Sequence, residues 1–515
     1  MSFTDYAVLT LYLFMVLGIG LYFRVSQGNH SDYFLAGRSM GWFPIGLSVM
    51  VTVFSAINYV ALPNEVFGYG LYVTVALPVF FLAAWPITRI WMPFFNAMQL
   101  TSAYEYLERR FDGRVRCLAS GLFIAWRLFW MATALYASGQ ILAVLTGLST
   151  PAVILTCGLV ATAYTAVGGM RAVMWTDVAQ FCVLFGGIAL GLALAGGESG
   201  LAEIFAVARE GGRLKPFIPF DPQFLSLNPF IRMTLWSGFL GVLVAFMARY
   251  GADQVVMQRY FTARNLSAAQ RGLWFSALVS VLSLTLLVLF GLAIYTHAVK
   301  TGVLAGISWE SLPPLQKKSL AMGQLAAVIR AFPAGVTGLV VAGLLAATMS
   351  SIDSGINACS AAWMIDFHPR LFRPAAARKQ SIAVIDRRLT LALGVLSTAM
   401  ALSLIVLIGP KNSLFMIVNK MINALGSPLL ALLTLGMVSH RVNAPRMLSG
   451  GLVGIVASLA ISLTVSRLAL QYYAVANLLV TVAACYLFSY IATFVGHEQP
   501  AGAISWTWWA RRDRN

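Results

Sequence analysis

Thirteen apolar runs, each long enough to cross a bilayer, leave this chain few structures to choose from. Hydrocarbon offers no water to a backbone amide, so a spanning segment must be a helix or a strand of a closed barrel. Runs of about twenty residues fit helices across a core of about 30 Å. The windows fall near 5–24, 42–68, 71–97, 118–146, 150–168, 172–196, 231–257, 270–299, 323–356, 387–409, 412–438, 447–466 and 469–494. The first lacks a small-residue cleavage site after a basic start and so reads as a span, not a removable leader. Only 10% of the 515 residues are charged, against about 25% in soluble domains. The chain is expected to be an all-α polytopic membrane protein.

The formal charge of +17 is therefore a matter of topology and lipid, not of nucleic acid. With the N-terminus outside, cytoplasmic segments collect 22 of the 35 Lys and Arg residues, external segments ten, and Arg127, Arg249 and Lys420 fall within spans. That imbalance predicts N-out, C-in, with the surplus meeting anionic headgroups. The five cysteines and five histidines are scattered, without metal-ligand spacing, and the thiols read as packing groups. An intramembrane enzyme would need a metal or nucleophile constellation, and none is visible. No obligate protein partner is evident either.

The stretch 341–360, VAGLLAATMSSIDSGINACS, breaks the apolar pattern. At about 100° per residue, Ala347, Ser350, Ser351 and Ser354 share one face. Such oxygens, with a carbonyl one turn earlier, suit a hard cation, and small hydroxyl residues equally suit close helix packing. Two other spans are interrupted. SVMVTVFSAINYVALPNEVFGYG (48–70) carries Ser48, Thr52, Ser55, Asn58, Pro63 and Glu65, and the span 231–257 carries Arg249, Gly251, Asp253 and Gln254. Paired discontinuous helices at matching positions of two halves point to a midplane site in transporters. Arg127 needs a partner at membrane depth, and Lys420 either snorkels or faces a cavity. Asp177 reads either as a helix N-terminal charge or as a carboxylate on an ion exit path.

Four stretches resemble the sodium/solute symporter family, the sodium-coupled carriers of sugars, sialic acid, vitamins, iodide and proline. They are DYFLAGRSMGWFPIGLS (32–48), SAYEYLERRFD (102–112), YTAVGGMRAVMWTDVAQ (164–180) and AATMSSIDSGINACSAAWMIDFH (346–368). The resemblance implies a LeuT-like fold with 13 transmembrane helices and a 5+5 inverted repeat. The implied divisions are a leading helix and turn (1–41), a first five-helix repeat (42–196), an external loop (197–229), a second repeat (230–438), and two trailing helices with a tail (439–515). It also implies Na+ as coupling ion, held by the carbonyls of Val51, Phe54 and Ala347 and the hydroxyls of Ser350 and Ser351, with Asp177 at the family's sodium-release aspartate. Asn58 matches a sugar-binding glutamine of the family's bacterial galactose carrier, and Lys420 falls at another. Phe246 replaces its sugar-binding asparagine and Arg249 its inner gate tyrosine.

These departures, with three cations at membrane depth, turn the expectation from hexose to a small organic anion, a carboxylate above all, met by Arg127, Lys420 or Arg249. The expected function is sodium-coupled import of such a solute by alternating access in a plasma membrane, the inner membrane of a bacterium. A neutral sugar or polyol is the alternative solute, and Asp177 and Asp353 leave proton coupling open.

Overall fold

The computed structural model describes residues 1–25, 30–197, 200–307, 309–371, 382–407, 414–494 and 507–508. The basic stretch after residue 370, read from the sequence as an amphipathic surface helix followed by a loop, and the tail SWTWWARRDRN, read as an interfacial anchor, lie mostly outside these. Among the described residues, ten helices are long and apolar enough to cross a membrane, or twelve counting two bent pairs. The expected thirteen is reached only by dividing the 47-residue helix Thr150–Gly196. Gly169 in its middle has φ 59° and ψ −160°, a conformation essentially restricted to glycine. Beside it, a Cβ on Gly168 would lie 2.9 Å from the Gly20 carbonyl oxygen, so the GlyGly pair lets the chain turn tightly against the first helix, Phe3–Tyr22.

The bent pairs are Trp42–Val53 with Ala56–Tyr69, at 63°, and Ser237–Gly251 with Gln254–Phe261, at 50°. The first break falls at Phe54 and Ser55, which are extended. Pro63, one of the residues that interrupt the apolar pattern, rides inside the second arm. The region expected as an external loop, 197–229, contains the helix Gly200–Glu210. The stretch SAYEYLERRFD, whose mix of acids and bases reads as a short cytoplasmic helix, forms the helix Glu105–Arg110. Its Glu108 joins Arg116 and Arg370, each at 2.5 Å, while Asp366 takes Arg116 at 2.6 Å. Burial pushes the Glu108 carboxyl up, but hydrogen bonds from Arg370 and Arg116 outweigh it and hold the group below its usual range.

At the centre stands the serine helix, Val336–Ala362, buried at every position except Val336 and Leu339. Its small residues allow this. A Cβ on Gly338 would lie 2.7 Å from the Asp5 backbone, and one on Gly355 2.5 Å from the Met131 sulfur. The helix start is capped from another span, because Asp5 Oδ1 accepts from the amides of Gly335 at 2.7 Å and Gly338 at 2.9 Å. These are orphan donors of a helix N-terminus. Gly338→Val should cost about 1–3 kcal/mol by overpacking, read as a lower melting temperature of the detergent-purified protein. An unchanged melting point would contradict this close approach. The trailing helices Ala444–Thr464 and Tyr472–Phe494 meet along Gly450, Gly454, Ser458 and Ser462, a small residue every fourth position. Asn477 donates to Ser462 there, at 3.2 Å.

Candidate ion and solute site

A helix leaves its last four carbonyls without amide partners, and the break after Val53 places such carbonyls beside the serine helix. The Phe54 amide takes the Met50 carbonyl at 2.9 Å. The Val51 carbonyl instead accepts from Ser350 Oγ at 3.3 Å, and Ser350 Oγ also lies 3.2 Å from the Ala347 carbonyl. Ser351 Oγ donates to the same Ala347 carbonyl at 3.2 Å. Val51, Ala347, Ser350 and Ser351 are thus brought together, all buried, with buried Phe54 in the break beside them. The set is neutral and made of oxygen alone. It suits a small hard cation, toward which a rotating hydroxyl turns a lone pair. Among the described residues no group of three His, Cys, Asp or Glu gathers to hold a metal.

Asp177 lies inside the protein with partners of its own. It is fully buried and its Oδ2 accepts from Arg259 Nη2 at 3.0 Å and from Ser48 Oγ. The positive-inside reading counts Arg259 with the cytoplasmic bases. The structure shows that Arg259 does not meet lipid headgroups or solvent, because all eight residues of Gln254–Phe261 are buried. Arg259 also donates to Ser48 Oγ at 2.6 Å, to the Val255 carbonyl at 2.6 Å and to Ser354 Oγ at 2.5 Å. Ser354 Oγ lies 3.0 Å from Asp353 Oδ1 and 3.1 Å from Thr52 Oγ1. Tyr164 donates to Asp353 Oδ2 at 2.5 Å, and Gln180 reaches the hydroxyls of Tyr164 at 3.3 Å and Tyr12 at 3.4 Å. The signal that sequence reasoning missed was the polar spacing Gln254, Gln258, Arg259 within one continuing helix.

The three membrane-depth cations have separate fates. Arg127 is nearly buried and ion-paired to buried Asp253, its Nε 3.1 Å from Oδ1. Asp253 also caps the second arm by accepting from the Val255 amide at 3.0 Å. This corrects the expectation that Arg127 offers its charge to a solute. Lys420 donates to the Val465 carbonyl at 3.2 Å and sits 4.8 Å from the centre of the Tyr473 ring. It faces the trailing helices, which corrects its place in the solute set. Arg249 forms no hydrogen bond or ion pair among the described residues. Its guanidinium carbon lies 5.7 Å from the Phe246 ring centre, and Phe246 packs on Phe80 at 4.3 Å and Tyr250 at 5.5 Å. Asn58, half-buried, accepts at Oδ1 from Ser55 Oγ at 3.1 Å.

Comparison with known proteins finds relatives over most of the chain. The family model for the sodium:solute symporter family matches residues 33–454. Sodium-coupled monocarboxylate transporter 1 of Mus musculus is 30% identical over 90% of this chain and 72% of its own length. The sodium/sialic acid symporter of Proteus mirabilis is 29% identical over 89% of both chains. A solved Na+-coupled sialic acid symporter, substrate-bound and outward-open, superposes with a TM-score of 0.83 at 26% identity, covering 95% of this chain and 98% of that one.

Proposed function

The chain belongs to the sodium:solute symporter family, and on that premise we propose that its sodium-coupled symport serves a small organic anion, a carboxylate above all. It is an integral membrane transporter of LeuT-like fold with Na+ as coupling ion. We place it in a bacterial plasma membrane, N-terminus outside and C-terminus cytoplasmic. The divisions are those set out from the sequence, two five-helix repeats at 42–196 and 230–438, each opening on a bent pair. Sodium, here a transported co-substrate, is held by the carbonyls of Val51, Phe54 and Ala347 and the hydroxyls of Ser350 and Ser351. Asp177, committed to Arg259, borders that site.

The observation that carries the solute reading is Arg249. Of the three cations that the sequence places within spans, it alone has no carboxylate or carbonyl holding it among the described residues, and it ends the arm just before the break at Ala252 and Asp253. A planar guanidinium favours a two-oxygen anion. Phe246 with Phe80 offers an apolar wall, and Asn58 an amide. The monocarboxylate and sialic acid carriers among the relatives support the same class. Sodium completes the bent-pair site, and reciprocal linkage makes sodium and solute tighten one another.

In proteoliposomes with an inward sodium gradient, carboxylates are expected to compete for uptake and neutral sugars are not. Competition by sugars alone would favour the polyol alternative. Uptake driven by a pH gradient without sodium would overturn the ion assignment.

A further inference from the structure

The oxygen cage proposed for sodium contains no charge, and taking a cation from water into a neutral buried site is costly without a counter-charge. One turn along the serine helix lies a network whose carboxylates and guanidinium are Asp177, Asp353 and Arg259, each 0% exposed. Arg259 Nη2 pairs with Asp177 at 3.0 Å. That leaves one carboxylate, Asp353, without a cation of its own in the network.

The donors around Asp353 indicate its state. Arg259 can only donate, so Ser354 Oγ accepts from it at 2.5 Å and keeps its own proton to give to Asp353 or Thr52. The Gln180 amide nitrogen likewise donates to the Tyr164 oxygen at 3.3 Å, and Tyr164 gives its proton to Asp353 at 2.5 Å. Tyr164 serves one carboxylate oxygen and Ser354 is placed within reach of the other, the arrangement of hydroxyl donors that an ionised acceptor uses. Asp353 and the cage residue Ser350 are three apart on one helix, which separates their Cβ atoms by about 5–6 Å.

We infer that Asp353 is the fixed negative charge that the coupling sodium neutralises, while Arg259 cancels Asp177. Asp353 touches no ion in this assignment. It is a positioning residue that acts through the field at the cage and through Ser354 and Thr52. The inference rests on the sodium site proposed above. At an effective dielectric of about 20, a unit charge at this range changes monovalent affinity by roughly tenfold or more.

The test measures the sodium concentration for half-maximal uptake in proteoliposomes, and the sodium midpoint of thermal stabilisation in detergent. Asp353→Asn should raise both by about tenfold or more, while the solute half-saturation at saturating sodium changes little; Asp353→Glu should recover part of the loss. Arg259→Gln removes a positive charge from the same network and should move both sodium midpoints the opposite way. Damage to packing would weaken sodium in both variants, so the opposed signs carry the test, and Asp353→Glu, which keeps the charge, decides it beside Arg259→Gln if Asp353→Asn does not fold. Unchanged sodium midpoints in Asp353→Asn would mean that Asp353 carries its own proton and would overturn the inference, as would weaker sodium binding in Arg259→Gln. A wild-type protein indifferent to sodium would instead defeat the cage itself.

Discussion

Ser351→Ala is expected to raise the sodium concentration for half-maximal uptake by roughly ten- to a hundredfold. The hydroxyl is one of about five oxygens proposed around the ion, and a hydrogen bond to a charged group is worth about 1.5–3 kcal/mol. The lost oxygen cannot be replaced by water easily, because Ser351 is 1% exposed and the Val51 and Ala347 flanks are fully buried. Linkage extends the effect to the solute, whose apparent affinity at fixed sodium should fall as well and recover as sodium is raised. Ser351→Thr keeps an oxygen at the position and should retain most of the coupling. Uptake in Ser351→Ala with an unaltered sodium dependence would show that the ion sits elsewhere.

Arg249→Gln should weaken the carboxylate solute by roughly a hundredfold or more, in keeping with the loss of about 2–5 kcal/mol when one partner of a buried charge pair is removed. The expected signature is a raised half-saturation for solute, with sodium stabilisation of the solute-free protein left near wild type. Arg249→Lys keeps the charge but loses the planar fork, so it should recover only part of the affinity. Equal solute affinity in wild type and Arg249→Gln would move the anion to another group. Arg127→Gln is a useful contrast. It leaves Asp253 buried without its guanidinium at the second break, and so should damage folding more than selectivity.

The apolar helices and the shared face of Ser350 and Ser351 were legible in the sequence, while the approach of Ser350 to Val51 on the first bent helix was implied by the family resemblance alone. Apolar length and helical spacing are local properties. Which charges cancel was not legible. Arg127 finds Asp253 across 126 residues and Arg259 finds Asp177 across 82, and no local window carries that pairing. Arg259 was assigned to the cytoplasm because hydropathy falls after the second break, although the chain continues as a buried helix there. Lys420 was ambiguous for a different reason. Its helix face decides between the Val465 carbonyl and the interior, and spacing does not say which face meets the trailing pair. The interruption of the first bent span was noticed but not located. Pro63 drew attention outward, whereas the helix actually parts at Phe54 and Ser55, neither of them a residue that usually signals an end.

The eight-residue arm Gln254–Phe261 carries a consequence for how the protein is made. It is too short to span hydrocarbon by itself, and it holds Arg259, a side chain costing about 2.5–3.5 kcal/mol at the centre of a bilayer by insertion scales. Asp177 leaves the ribosome before this arm, but Ser354 follows almost a hundred residues later. The arm therefore cannot reach its final surroundings as it is synthesised. It must wait at the membrane surface or against the earlier helices, and biogenesis ends with the serine helix arriving to seal it in.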